Sequence, residues 1–197
     1  MLVFSKARLV ILSVPKTGTT AIEAALGPRA DIWVQNPPDL KHAPVYRYNR
    51  FFRPVLERFV APEMQVIAVM REPVSWLGSW WRFRQRPFMS GKANATHGVS
   101  FDDFVDAYCR GKRPGFAEVG SQAKFLEPQP NGTKVTRLFR YEDQATLLDF
   151  LENELDEKIA LERKNVSPEI AMELSEEIAA KYRRKCAAEF ELYESIK

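Results

Sequence analysis

The sequence is poor in the residues that build disulfide or metal frameworks. It holds only two cysteines, Cys109 and Cys186, which lie far apart and in no metal-ligand spacing. We therefore expect neither a disulfide scaffold nor a zinc site. Its two histidines, His42 and His97, are too few for a histidine-rich metal centre. The sequence accordingly predicts no metal site.

Long apolar runs and repeats are also missing. The first apolar stretch, residues 9–14, is too short to span a bilayer and continues into a polar loop without a small-residue cleavage site. We therefore expect no membrane span, no signal peptide and a cytoplasmic location. With 45% hydrophobic and 28% charged residues, the composition is that of an ordinary globular protein. Its 197 residues predict one domain, 1–197.

The net charge is small but unevenly distributed. A formal charge of +3 is too low to indicate a nucleic-acid partner. Residues 1–125 hold 18 Lys and Arg against 10 Asp and Glu, whereas residues 126–197 hold 11 against 16. The first part therefore suits an anionic ligand, and the second is typical of a solvated acidic helical region. Scattered surface charge without a function would give the same counts.

Short apolar runs alternate with amphipathic segments along the chain. The runs rich in branched residues predict strands over residues 8–14, 64–70 and 135–141. Helical spacing predicts helices over residues 19–26, 51–59, 74–83, 101–108, 121–126 and 146–155, and a long one over 168–194 that could support a homodimer. Residues 29–50 look irregular, and the polar segment 84–100 predicts a lid or acceptor-binding loop. This alternation predicts an α/β fold around a mainly parallel sheet.

The predicted first strand continues into a loop suited to a phosphate. The loop consists of Pro15, Lys16, Thr17, Gly18, Thr19 and Thr20. Gly18 permits close backbone approach, and the N–H groups at the start of the following helix favour an anion together with the helix dipole. Lys16 adds a mobile positive charge, and the threonine hydroxyls can donate further hydrogen bonds. The lysine precedes the glycine, so the loop is not a Walker A motif; a plain strand–helix turn is the alternative.

A second anion-binding pattern follows the predicted strand 64–70. Arg71 comes directly after that strand, at the edge where open α/β sheets bind ligands. Ser79 lies about two helical turns further on, and a guanidinium with a hydroxyl is a good receptor for a second phosphate. Alone, Arg71 could equally be a surface ion-pair residue. Together with the loop, it predicts a nucleotide phosphorylated at two places.

Both patterns resemble elements of the sulfotransferase family. Residues 14–20 resemble the family's 5′-phosphosulfate loop, and Arg71 with Ser79, in the frame R-x-P-x-x-x-x-x-S, resembles its 3′-phosphate element. The resemblance is nearest the carbohydrate-type and bacterial members. It extends over nearly the whole chain through less specific segments at 40–43, 120–126, 138–143, 165–167 and 190–193.

The resemblance implies a three-layer α/β/α fold of the P-loop-containing nucleoside triphosphate hydrolase type. It implies 3′-phosphoadenylyl sulfate (PAPS) as donor, adenosine 3′,5′-bisphosphate (PAP) as product, and a hydroxyl or amine acceptor, with no metal. Lys16 would stabilise the leaving oxygen, and the N–H groups of Gly18, Thr19 and Thr20 would hold the 5′-phosphate. Arg71 and Ser79 would hold the 3′-phosphate. The Arg-Lys-Gly loop of cytosolic members has no clean match; Arg163 and Lys164 could serve instead, and a charged turn is the alternative.

The acceptor needs a base, and His42 is the first candidate. An imidazole titrates near neutrality, and the flanking prolines predict an ordered loop. A structural histidine is the alternative. His97, in the predicted lid, is the reserve, and the carboxylates of Glu72 and Glu23 are further options.

Two other functions are compatible with the loop. A P-loop kinase would need Mg²⁺ held by an acid after a buried strand, but the strand ending at Met70 is followed by Arg71, and only Glu142 and Asp143 could substitute. A non-catalytic nucleotide-binding module would keep Lys16 and Arg71 without a working base.

Overall fold

The computed structural model describes residues 1–161 and 170–197 and has an α/β fold. Five strands form one sheet in the order β3-β1-β2-β4-β5. They are β1 Leu2–Phe4, β2 Leu9–Leu12, β3 Ile32–Trp33, β4 Gln65–Met70 and β5 Arg137–Arg140. The three strands predicted from the sequence correspond to β2, β4 and β5, and they are the three that pair in parallel.

The sheet is mixed rather than mainly parallel. Strand β1 pairs antiparallel with both β2 and β3, so two of the four strand pairings are antiparallel. The phosphate loop therefore follows the second strand of the chain, not the first. Strand β1 has three residues and β3 has two, which is too short for an alternating or apolar pattern to identify them.

Helices occupy most of the remaining described chain. The α-helices are α1 Thr19–Leu26, α2 Pro38–Lys41, α3 Val45–Arg47, α4 Arg53–Phe59, α5 Pro73–Arg84, α6 Phe101–Tyr108, α7 Gln122–Phe125, α8 Gln144–Leu155, α9 Glu176–Lys185 and α10 Ala187–Glu194. A π-helical turn, Tyr48–Phe52, joins α3 to α4. Residues 29–50, predicted to be irregular, thus contain β3, α2 and α3. No helix in residues 1–161 and 170–197 is long and apolar enough to cross a membrane.

The prediction of one long C-terminal helix over residues 168–194 is wrong in its extent. Residues 168 and 169 lie outside the described residues, and residues 170–175 are not helical. Helix α9 starts after Ser175, whose extended backbone and side-chain oxygen, which accepts from the Ile178 N–H at 3.4 Å, form an N-cap. Cys186 then separates α9 from α10. Amphipathic spacing continues across both boundaries and so conceals them.

The described chain divides into two compact units. The first contains residues 1–71 and 122–161 with Ile196, and the second contains residues 72–121 and 170–195 with Lys197. The first unit holds the whole sheet, with α1 and α8 packed against it through Ile22, Leu26, Phe150 and Leu151. Strand β2 is buried at every residue and β4 at all but the first, as predicted for central strands.

The second unit is helical and has its own aromatic core. Trp76 and Trp81 of α5 pack with Phe104 and Tyr108 of α6, and Tyr182 of α9 joins them. The predicted lid, residues 84–100, is fastened to α5: the buried Thr96 hydroxyl donates to the Trp81 carbonyl at 2.7 Å. The indole N–H of Trp81 donates in turn to the Val99 carbonyl at 2.9 Å.

Candidate functional site

The loop between β2 and α1 is wound tightly at its centre. Lys16 and Gly18 have φ angles of 68° and 75°, in the left-handed region. The hydroxyl of the buried Thr17, between them, donates to the Val14 carbonyl at 2.8 Å. The Thr17 hydroxyl therefore fastens the loop, which differs from its predicted role as a hydrogen-bond donor to a phosphate.

Helix α1 begins directly on this turn. Gly18 is the N-cap residue, and its carbonyl accepts from the Ala21 N–H at 3.0 Å. Thr19 is buried, whereas Gly18 and Thr20 are exposed and Lys16 is half-buried. The backbone N–H groups of a first helical turn carry partial positive charge. The loop thus brings an exposed helix start and a lysine together, as an anion site requires.

Arg71 lies beside this loop. It follows β4, which pairs in parallel with β2, so the ends of the two strands meet at one sheet edge. The Arg71 guanidinium is 3.4 Å from the Lys16 carbonyl oxygen through Nη1, and it stands 4.3 Å from the centre of the Tyr141 ring. Arg71 and the loop, which the sequence predicted to act together, therefore are neighbours.

Tyr141 connects Arg71 to Gly18. A Cβ atom added at Gly18 would lie 3.0 Å from Tyr141 Cε2, closer than an ordinary van der Waals contact. Glycine is therefore favoured at position 18 both by the φ angle and by the nearby tyrosine ring. Sequence reasoning did not assign Tyr141 to the site; its position one residue after β5, a parallel neighbour of β4, is the signal that could have done so.

Gln122 fixes the backbone of Arg71. Its side-chain oxygen accepts from the Arg71 N–H and its side-chain nitrogen donates to the Arg71 carbonyl, both at 2.9 Å. The Gln122 residue is fully buried. The Gln122 amide thus makes, just beyond the end of β4, the two backbone hydrogen bonds that a neighbouring strand would otherwise make. Sequence reasoning missed this role, because no local pattern indicates a contact between residues 71 and 122.

His42 is the C-cap residue of α2, and its ring contacts Ser13, which directly follows β2. Its Nδ1 is 2.7 Å from the Ser13 carbonyl oxygen. A carbonyl can only accept, so Nδ1 carries the hydrogen in the neutral ring and Nε2 has the available lone pair. Burial lowers the pKa of His42 below 6.5, although the hydrogen bond to Ser13 opposes this shift. His42 is therefore neutral near pH 7, the state that a general base needs.

The two carboxylates considered as alternative bases have structural partners. Glu23, which is buried on α1, pairs with Lys41 at 2.7 Å and accepts from the Ser13 hydroxyl at 2.8 Å. Glu72 is the N-cap of α5 and accepts from the N–H groups of Val74 and Ser75. The Glu23–Lys41 pair holds the residue next to His42 against α1.

The other predicted site residues belong to the second unit or fall outside the described chain. Ser79 belongs to the second unit, where it is buried on α5. His97 also belongs to the second unit and is exposed. Lys164 falls in residues 162–169, outside the described residues. The first unit therefore brings together Lys16, Gly18, Arg71 and Tyr141, with the His42 ring beside the end of β2.

Comparison with known proteins adds no relative. No protein-family model, no curated protein and no solved structure matches this chain. The resemblance to sulfotransferases stays a prediction, and what the structure establishes is an α/β fold with a five-stranded mixed sheet.

Proposed function

We propose that the chain is a sulfotransferase, which moves a sulfuryl group from PAPS to a hydroxyl or amine acceptor. The single observation that carries the proposal is the position of Arg71 beside the β2–α1 loop, 3.4 Å from the Lys16 carbonyl. A P-loop kinase would be expected to present a carboxylate after this strand, to hold Mg²⁺. A guanidinium there favours a ligand with a second anionic group and no need for a metal at that point.

The loop suits the 5′-phosphosulfate. The N–H groups of Gly18, Thr19 and Thr20 would hold the phosphate at the start of α1. The half-buried Lys16 would neutralise charge on the bridging oxygen as it leaves. Arg71 would bind the 3′-phosphate. The finer fold class that belongs to this proposal is three-layer α/β/α with a P-loop-like nucleotide site.

The transfer itself would be an in-line displacement. The acceptor oxygen attacks sulfur, the bond from sulfur to the 5′-phosphate oxygen breaks, and PAP departs. His42 Nε2 takes the acceptor's proton, since the Ser13 carbonyl fixes the hydrogen on Nδ1. Positioning and charge stabilisation supply most of the rate enhancement in such reactions.

Ligand binding separates the sulfotransferase from the kinase. We expect PAP to raise the thermal midpoint more than ADP or ATP does, and without Mg²⁺. Arg71→Ala should remove the advantage of PAP over ADP. Arg137→Ala is the matched control, because Arg137 lies at the opposite end of the parallel strand β5 and is exposed. Tighter, Mg²⁺-dependent binding of ATP would refute the proposal.

Turnover separates the enzyme from a binding module. PAP released from PAPS with a panel of sugar, phenol and amine acceptors is measured by mass spectrometry. We expect His42→Ala to lower the transfer rate by roughly 10²–10⁴-fold while PAP still binds. His97→Ala should leave the rate unchanged. Equal rates for wild type and His42→Ala would refute the base assignment, and PAP binding without turnover on any acceptor would favour the binding module.

A further inference from the structure

The two cysteines of the chain meet in the second unit although they are far apart in sequence. Cys109 is the C-terminal cap of α6, and Cys186 stands between α9 and α10. Both thiols are half-buried and pack against the same aromatic core, and each lies close enough to shift the pKa of the other. Both cysteines of the chain therefore lie in the same part of the second unit.

The neighbouring residues hold the two thiols in place. The rings of Tyr108 and Tyr182 pack edge to face at 5.7 Å between centres. One turn away, Lys181 Nζ pairs with Asp106 Oδ1 at 2.5 Å. These contacts join α6 to α9 through residues that precede each cysteine by only a few positions. The approach of the two sulfur atoms thus follows from the packing of two helices and does not depend on a mobile loop.

We propose that Cys109 and Cys186 form a redox modification site, at which a peroxide oxidises the pair to an intramolecular disulfide. The proposal rests on the second unit alone and is independent of the proposed sulfotransferase activity.

The two thiols differ in their chemistry. The interaction with the Cys186 thiol lowers the pKa of Cys109, and the charge of Lys181, which pairs with Asp106 one turn earlier on α6, contributes to the same shift. The interaction with Cys109, together with burial, raises the pKa of Cys186. Because the thiolate is the nucleophile, Cys109 is the residue that attacks peroxide and Cys186 is the residue that resolves the product.

The reaction balances with one peroxide. The Cys109 thiolate attacks one oxygen of hydrogen peroxide, the O–O bond breaks, and a sulfenic acid and one hydroxide form. The sulfur of Cys186 then attacks the sulfenic sulfur, the S–O bond breaks, and a second hydroxide leaves. The two thiol protons convert both hydroxides to water. Two thiols thus lose two electrons, and the peroxide is reduced to two waters.

The disulfide between Cys109 and Cys186 would link three helices covalently. It would join the end of α6 to the junction of α9 and α10, where the Tyr182 and Phe190 rings already pack 5.0 Å apart. Such a crosslink lowers the conformational entropy of the unfolded chain over residues 109–186. We therefore expect the oxidised protein to unfold roughly 5–10 °C higher than the reduced protein.

The test treats the reduced, full-length protein with stoichiometric hydrogen peroxide and follows its intact mass. We expect a monomer lighter by two hydrogens, a crosslinked peptide joining residues 109 and 186, and full reversal by a dithiol. The same treatment in denaturing urea should form the bond at least roughly tenfold more slowly, because the thiols are then apart. Equal rates in the two states, or disulfide-linked dimers in place of the monomer, would overturn the proposal.

Two single variants test the separate roles of the thiols. Cys186→Ser should stop at a sulfenic acid on Cys109, heavier by one oxygen and trapped by a dimedone reagent. Cys109→Ser should react several-fold more slowly than Cys186→Ser, because burial and the charge of Glu189 still raise the pKa of Cys186 when Cys109 is replaced, whereas Lys181 lowers that of Cys109. Both variants keep a side chain of similar size, and circular dichroism checks that they fold. Equal reactivity of the two folded variants would show that the assignment of roles is wrong.

Discussion

Replacement of Gly18 by alanine tests the geometry of the phosphate loop most directly. At a φ of 75°, an alanine costs about 1–2 kcal/mol relative to glycine. Its Cβ would also lie 3.0 Å from Tyr141 Cε2, so the ring must move by a few tenths of an ångström. We assign about 1 kcal/mol to this crowding. The total expected loss of unfolding free energy is therefore about 2–3 kcal/mol.

A matched control separates the two contributions. Gly132 is in the same unit, has a φ of 87°, and has no atom within 4 Å of an added Cβ. Gly132→Ala should therefore show the backbone cost alone. Urea unfolding followed by circular dichroism gives both free energies. The reasoning is refuted if Gly18→Ala is no more destabilising than Gly132→Ala.

The same substitution should weaken ligand binding. When the Tyr141 ring moves, the guanidinium of Arg71, 4.3 Å from the ring centre, loses its support. We expect PAP to bind Gly18→Ala about tenfold more weakly, equivalent to about 1.4 kcal/mol. The double variant Gly18→Ala/Tyr141→Ala should lose less unfolding free energy than the sum of the two single variants, because the crowding is absent without the ring. Unchanged PAP affinity in Gly18→Ala would show that Tyr141 does not support the site.

Three further predictions concern two buried polar side chains and the half-buried His42. Arg84→Met should lower the free energy of unfolding, measured in urea, by about 3 kcal/mol or more. The reason is that the buried guanidinium donates to the carbonyls of Gly115, Phe116 and Glu118. Arg86→Met, at a half-buried position, should lower it by less than about 1 kcal/mol. Thr96→Val should cost about 1–2 kcal/mol by removing the donor to the Trp81 carbonyl, whereas the exposed Ser90→Ala should be nearly neutral. The His42 imidazole should titrate with a midpoint below 6.5 in proton NMR, its signal assigned by its loss in His42→Gln. Since the unfolded state then takes up the proton first, protonation of His42 should contribute to a loss of stability as the pH falls below 6.5.

The elements that the sequence predicted well are those with strong local patterns. Helices α1 and α6 begin and end at the predicted residues, because amphipathic spacing and clear boundary residues mark them. Strands β2 and β4 are continuous apolar runs. By contrast, the break at Cys186 interrupts a pattern that remains helical on both sides, so only tertiary packing reveals it.

The candidate site was predictable only in its local part. Lys16 and Gly18 lie in one loop, and Arg71 follows a strand that must lie near that loop in any parallel sheet. The Ser13 carbonyl that orients His42, and the Gln122 amide that orients Arg71, join residues 29 and 51 positions apart. A hydrogen bond to a backbone carbonyl, or to and from one side-chain amide, produces no pattern in the sequence, so such contacts can be identified only in the structure.

The amide of Gln122 has a consequence for protein engineering. Because it holds the backbone of residue 71 from both sides, the main chain there does not depend on the side chain that residue 71 carries. Other side chains can therefore be placed at position 71 on an unchanged backbone. A series of variants with lysine, histidine, glutamine and methionine at this position would compare different side-chain head groups at one backbone position. Differences in nucleotide preference across that series would report the charge and shape of the head group together with its contacts to the Lys16 carbonyl and the Tyr141 ring.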